Sequence, residues 1–339
     1  MAAFLLAVIP DGMMIFYNGS EAPEGWEVVE DFAGRFPRAC EPPGDTGGSE
    51  YHTHEVPDSV PINISYCTLF WWNQYEISYS ATVCREYKAR ITEFDSASNI
   101  PPFRYLLVIR KVGEGEYLPK GSVLFFEDSV PAGWEKILID SFPRGALPQD
   151  VGKTGGSYYH THRYRLRSSP PIAEYVKGVS EPLLLTSLWP DGLYYCDSAE
   201  NLPPYATLYI AELQNDSALL PTGAIAMFDE EPSGNPWTIP ATNLTGRFVM
   251  GTASSPGQIG GSLRHTHACD SSDYGENGDA ACRFQDSCYG EEGHQFPVAL
   301  YSHISWSFST ESAEALPPYR CVLFRNCLLY TSPSPRDRG

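Results

Sequence analysis

Gly155-Gly156-Ser157-Tyr158-Tyr159-His160-Thr161-His162 is the middle copy of a signature that this chain carries three times. The first copy, GGSEYHTH, ends at His54, and the third, GGSLRHTH, ends at His267. His52 and His160 are 108 residues apart, and His160 and His265 are 105 apart. Six of the eight histidines lie in these copies. Self-similarity at a period this long defines the fold unit before any local reading does.

The rest of the unit repeats in the same order. Each copy opens on a glycine and an apolar run: Gly12 to Phe16, Gly121 to Phe125, Gly223 to Phe228. A Pro-x-Gly-Trp turn follows at Pro23–Trp26 and Pro131–Trp134, loosened in the third copy to Pro232, Gly234 and Pro236 before Trp237. An arginine-phenylalanine step comes next: Gly34-Arg35-Phe36-Pro37-Arg38, Phe142-Pro143-Arg144 and Gly246-Arg247-Phe248. After the signature and a variable stretch, each copy closes with Pro-Pro-aromatic and an apolar run, at Pro101-Pro102-Phe103, Pro203-Pro204-Tyr205 and Pro317-Pro318-Tyr319. Three units follow, at 1–114, 115–216 and 217–327. The tail 328–339 is basic, turn-rich and outside the repeat, and reads as disordered or non-native.

Short apolar runs between Gly, Pro, Asn and Asp read as strands. The fold class expected is mainly β, with short helical fragments near Glu76–Glu86 and Ser168–Val176. Trp26, Trp134 and Trp237 are expected as core anchors. The glycine pairs Gly47-Gly48, Gly155-Gly156 and Gly260-Gly261 are expected to take positive φ or to allow close backbone approach. The Pro-Pro pairs remove strand donors and mark entry to an edge or closing strand. Ala2–Ile9 reads as a first strand, or as the stub of a signal peptide.

The net charge of −19 disfavours a phosphate backbone as partner. No apolar stretch reaches the length of a membrane span. Nine cysteines and four Asn-x-Ser/Thr sequons, at Asn18, Asn63, Asn215 and Asn243, point to an extracellular glycoprotein. The cysteines fall mostly in variable stretches, so loop-stapling bridges are expected: Cys67–Cys84 and one pair among Cys269, Cys282 and Cys288. Gly152-Lys153-Thr154 fails as a phosphate loop, because the motif's first glycine would fall at Leu147. No nucleophile elbow, zincin or dinucleotide motif occurs, and no carboxylate pair recurs at a fixed place in the unit, so an enzyme is not expected.

The motif order resembles the phage tail collar domain found in short tail fibres and in microcystin-dependent-type proteins. The resemblance spans nearly all of Gly12–Phe324, three times over. It departs where the family has Cys-Asp-Gly after the Trp, since this chain has Val28-Val29-Glu30 and Ile137-Leu138-Ile139. It also departs in stringing together units that the family trimerises as separate chains. It implies an extracellular structural or adhesive module.

In a strand, residues i and i+2 share a face. His52/His54, His160/His162 and His265/His267 are therefore three same-face pairs, with Thr53, Thr161 and Thr266 on the opposite face as packing residues. Hydrogen bonding to the glycine turn is the simpler use of each pair. If the three units pack around a pseudo-threefold axis, six imidazoles converge into an octahedral site for a transition metal such as Fe or Zn, as in similar-looking tail fibres. Aromatics crowd the variable stretches: Tyr66, Phe70, Trp71, Trp72, Tyr75 and Tyr79; Tyr164, Tyr175, Trp189, Tyr194 and Tyr195; Tyr274, Tyr289, Phe296, Tyr301 and Trp306. They suggest subunit packing or sugar stacking. The main functional expectation is a structural protein that self-associates head to tail into a homopolymeric fibre. The alternative is a receptor- or glycan-binding adhesin, a single-chain tail-fibre tip with a His-coordinated metal.

Overall fold

A computed structural model describes residues 9–64, 86–113, 117–168, 173–174, 183–184, 192–217, 220–232, 237–274 and 303–327. The fold is mainly β. Repeat one supplies β1 (Met14–Tyr17), β2 (Trp26–Val28), β3 (Phe36–Ala39), β4 (Thr46–Gly47), β5 (Tyr51–His52), β6 (Ser59–Ile64), β7 (Glu86–Phe94), β8 (Ala97–Ser98) and β9 (Phe103–Lys111). Repeat two supplies β10 (Ser122–Phe126), β11 (Trp134–Ile137), β12 (Phe142–Gly145), β13 (Thr154–Gly155), β14 (Tyr159–His160), β15 (Arg163–Ser168), β16 (Ala173–Glu174), β17 (Leu183–Leu184), β18 (Gly192–Tyr195), β19 (Ala199–Glu200) and β20 (Tyr205–Leu213). Repeat three supplies β21 (Ala224–Phe228), β22 (Trp237–Thr238), β23 (Phe248–Gly251), β24 (Ile259–Gly260), β25 (Arg264–His265), β26 (Ala268–Tyr274), β27 (His303–Ser309), β28 (Ala313–Glu314) and β29 (Tyr319–Cys327).

The strand pairings run in a ring. Each opening strand pairs antiparallel with its own closing strand: β1 with β9, β10 with β20, β21 with β29. The opening strands also pair with one another around the axis, at Phe16↔Val123, Phe125↔Ile225 and Met14↔Met227. Each closing strand then takes the arginine-phenylalanine strand of the next repeat in parallel, at Phe103↔Phe142, Tyr205↔Phe248 and Tyr319↔Phe36. The last of these joins repeat three back to repeat one and closes the ring.

Burial follows from that ring. One core draws Met14, Phe16, Leu106, Phe125, Leu208, Met227, Val249 and Phe324 from all three repeats. Phe36 packs edge-on against Phe142 and Phe248, with centroids 6.3 and 6.4 Å away. The tryptophans anchor as expected. Trp26 is buried, Trp134 packs edge-on against Phe126, and Trp237 against Phe228. The Pro-x-Gly-Trp turns close with Trp26 N–H to Pro23 O and Trp134 N–H to Pro131 O, and Gly25 and Gly133 take the positive φ (+78° and +86°) of a type II turn.

Beyond the signature each repeat sends out two strands, which join as one sheet in the order β18-β15-β7-β6-β27-β26. Tyr164, Leu166, Val60, Ala89 and Trp306 fill its inner face. The outermost strands β18 and β26 share no ladder, but Asp197 N–H just past β18 donates to Ala268 O, and Cys196 bonds Cys269. The disulfide thus stands at the one seam of this six-stranded barrel that strand pairing leaves open.

Several expectations change here. Cys269 pairs with Cys196 rather than with Cys282 or Cys288, and a second bridge joins Cys40 to Cys321. Both link different repeats instead of stapling loops, because the ring brings sequence-distant edges together. Cys67, Cys84, Cys282 and Cys288 lie outside the described residues. Among the described residues Cys327 is the free cysteine, and burial pushes its thiol up to about 11. Of the helical fragments, Ser168 ends a strand and Ala173–Glu174 form another, while residues 76–85 lie outside the described residues. The helical pieces among the described residues are two 3₁₀ turns, Glu30–Phe32 and Pro148–Asp150. Tyr164 and Trp306 are core, not surface: the Trp306 indole N–H donates to the Tyr164 hydroxyl at 2.9 Å. Of the other variable-stretch aromatics, Tyr195 is exposed, Tyr194 is half-buried, Tyr274 lies on β26, and the rest fall outside the described residues.

Candidate metal centre

The second glycine of each signature has positive φ: Gly48 +75°, Gly156 +77° and Gly261 +71°. A Cβ there would stand 2.1 Å from Pro317 O, 2.0 Å from Pro101 O and 2.0 Å from Pro203 O respectively, closer than any side chain can sit. The first glycines lie flat on Tyr319, Phe103 and Tyr205. The Gly-Gly of each repeat is therefore seated on the Pro-Pro-aromatic of the preceding one. Two motifs that look independent in the chain are the two halves of one joint, and it occurs three times.

From that joint the short strands β5, β14 and β25 lead the histidines to the axis. They pair with β8, β19 and β28 at His52↔Ala97, His160↔Ala199 and His265↔Ala313. Alternation turns the intervening threonines outward. Thr53, Thr161 and Thr266 are exposed, so they are not packing residues; the histidine face alone meets the core.

All six imidazoles converge. The Nε2 atoms of His52 and His54, and of His52 and His265, are 3.1 Å apart. His160 Nε2 lies 2.9 Å from that of His265 and 3.2 Å from that of His267, and His162 Nε2 lies 3.2 Å from that of His52. Ligand atoms of His52, His54, His162, His265 and His267 lie within 4.8 Å of one another. Every ring packs edge-to-face against all the others but one. The three pairs left over, His52 with His267, His54 with His160 and His162 with His265, face each other across the centre. That is the neighbour relation of an octahedron. With edges near 3 Å its centre lies about 2.2 Å from each nitrogen, close to the reach of an imidazole–metal bond.

The outer nitrogens set the tautomer. Nδ1 of His54, His162 and His267 lies 2.7 Å from the carbonyl oxygens of Glu311, Asp95 and Asp197. A carbonyl only accepts, so each Nδ1 carries the hydrogen and each Nε2 turns a bare lone pair to the centre. Each of these carbonyls belongs to the preceding repeat around the ring. Phe94 stacks on His162 with centroids 5.0 Å apart. Nδ1 of His52 and of His160 is buried without a protein partner.

The cluster resists protonation. His52 is pushed down to about 3, His160 to about 2, and His162 and His265 to about 4. Loss of solvent is the largest cause in each, and repulsion from the other rings adds to it; the Asp95 carbonyl works against it at His162. His54 and His267 are lowered too, again mainly by burial. Six imidazoles that resist protonation, three of them with the Nε2 lone pair fixed toward the centre, are a nitrogen donor set that fits a first-row transition metal.

Sequence reading found all six histidines and missed the carbonyls that orient three of them. The signal was present: Asp95-Ser96-Ala97, Asp197-Ser198-Ala199 and Glu311-Ser312-Ala313 each precede Pro-Pro at the same offset, inside stretches taken as variable. The sequons separate by environment. Asn18 donates to both Glu212 oxygens and accepts from Arg104, so its amide is engaged between strands. Asn63 lies on β6 opposite Ser305. Asn215 and Asn243 are exposed. No helix among the described residues is long and apolar enough to cross a membrane. Set against known protein families, curated proteins and solved structures, the chain finds no match.

Proposed function

We propose that this chain is a non-enzymatic extracellular recognition body, in which three collar-like repeats are pinned around one axis by a transition metal held by His52, His54, His160, His162, His265 and His267. The observation that carries this reading is the convergence of six Nε2 atoms, three of them left with a free lone pair because their Nδ1–H donates to a carbonyl. Six protein donors fill an octahedral shell and leave no position for a substrate, as in structural rather than catalytic metal sites. Six nitrogens favour a metal at ease with octahedral coordination, so iron suits the site better than zinc, whose structural sites are tetrahedral. When bound, the metal would supply cross-linking: one ion tied to all three repeats.

Bridges between repeats suit an oxidising compartment. Glycans, if added there, belong on exposed Asn215 and Asn243 rather than on Asn18. Head-to-tail polymerisation draws less support, since the repeats pair with one another inside a single chain. Elemental analysis and melting with and without chelator test the metal reading. One equivalent of metal per chain, and a melting temperature that falls on chelation, is the expected result. Protein loaded anaerobically with Fe(II) or Ni(II) that retains neither, with an unchanged melting temperature, would overturn it. Light scattering at high concentration tests the assembly: monomers are expected, and growing rods would restore the fibre.

A further inference from the structure

Among the described residues, the outer face of the barrel gathers cations on one pair of strands. Along β15, Tyr164 and Leu166 point inward, so Arg163, Arg165 and Arg167 share the outer face. On the neighbouring β7, Ala89 is buried and Lys88 and Arg90 are exposed. Two adjacent strands thus carry five of the 23 cations of a chain whose net charge is −19. Arg163 pairs with Asp95 and Arg165 with Glu93. Lys88, Arg90 and Arg167 have no ion-pair partner among the described residues. Arg167 and Arg90 stand directly opposite each other in the ladder, where like charges destabilise a sheet.

The framework does not require these cations. The residues matching Arg163, Arg165 and Arg167 after the other signatures are Glu55, Pro57 and Ser59, and Ala268, Asp270 and Ser272. The outer face of β27 shows Ser305, Ser307 and Ser309. Beside the strip, on β18, Leu193 and Tyr195 are 44% and 63% exposed, at positions paired with Arg165 and Arg163.

We propose that this strip binds an anionic polysaccharide. Arg90, Arg167 and Lys88 bind its sulfate or carboxylate groups, and Tyr195 and Leu193 lie against its sugar rings. Guanidinium groups without an ion-pair partner among the described residues match oxyanions, with geometry a lone ammonium cannot give. An aromatic flanked by cations suits a sugar carrying charge on one edge and C–H groups on its face. The acidity of the rest of the molecule repels a long, densely charged duplex and confines binding to the strip. This inference is independent of the metal centre.

Binding of the intact protein to dextran sulfate, polygalacturonate, neutral dextran and a single-stranded DNA oligonucleotide, measured at several salt concentrations, tests it. Salt-sensitive binding to one or both acidic polysaccharides is expected, with neutral dextran silent; the two arms identify the anion. Arg90→Gln with Arg167→Gln should weaken binding roughly tenfold or more and lower the slope of log K against log salt by about two. Tyr195→Ala should weaken binding without changing that slope. All three side chains point outward, so melting temperatures that do not fall certify the variants. Wild-type binding by the double variant, equal binding of the oligonucleotide, or no binding to either acidic polysaccharide would overturn the proposal.

Discussion

The body and the barrel are built from the same three repeats and hold together differently. In the body, every joint recurs: Gly48 on Pro317, Gly156 on Pro101, Gly261 on Pro203, each with its parallel strand pair. In the barrel the ladder is continuous from β18 to β26 and absent between those two, where Cys196–Cys269 stands instead. The body has a matching irregularity. The chain itself links repeat one to two and two to three, while the seam between three and one has no peptide link. Cys40–Cys321 crosses that seam. Each disulfide sits where the repeated architecture lacks something its other two seams possess. The body's geometry is thus a property of the repeat, and the barrel's closure a property of individual residues.

The histidine centre lies between the two regions, so breaking it should give the largest effect. His160→Ala with His162→Ala should abolish metal retention and lower stability by on the order of 5 kcal/mol or more, with all three repeats losing hydrogen-exchange protection together. Loss confined to repeat two would make the histidines local turn anchors.

Removing the disulfides separately sharpens the contrast. Cys40→Ser with Cys321→Ser opens a loop of 281 residues and should cost about 5 kcal/mol, loosening the body at one seam. Cys196→Ser with Cys269→Ser opens a loop of 73 and should cost about 4 kcal/mol, with exchange rising in the barrel first. Equal exchange in both regions would show that they unfold as one unit.

Acid probes the centre without mutation. The cluster's histidines have folded pKa values below their unfolded value, so the unfolded chain binds protons first. Stability of the metal-free protein should be full above about pH 6.5 and fall as pH drops towards 4, by roughly a few kcal/mol. Bound metal should shift that loss to lower pH. A flat profile from pH 7 to 4 would place the imidazoles in solvent.

Two glycines give the finest test of the joint. Gly156→Ala meets Pro101 O and should cost roughly 3 kcal/mol or more, whereas Gly152→Ala, with φ +86° and nothing within 4 Å, should cost about 1 kcal/mol. Denaturation of the two variants measures the difference, and equal costs would dissolve the Gly-Gly to Pro-Pro joint.

Much of this was legible in the chain. The three units, their strands, the tryptophan anchors and the same-face histidine pairs all follow from local rules: turn chemistry at Gly and Pro, and the two-residue period of a strand. The exceptions show the limits of such rules. Tyr164 and Trp306 looked like exposed residues for subunit packing or sugar stacking, because nothing local distinguishes an aromatic facing a barrel interior from one facing solvent. The cysteines looked like loop staples, because sequence proximity is the only distance a sequence displays.

What the sequence determined by itself is the unit and its order. Each unit is marked by local patterns, turns at Gly and Pro and the two-residue alternation of strands, and three copies repeat those patterns in one order. What only the tertiary structure decided is which unit meets which. A Gly-Gly turn fits the Pro-Pro-aromatic of its own repeat, or of either other repeat, equally well as a local pattern. The choice of the preceding repeat is made by the shared core and by ring closure, which are properties of all three together. That choice turns three histidine pairs into one six-nitrogen centre.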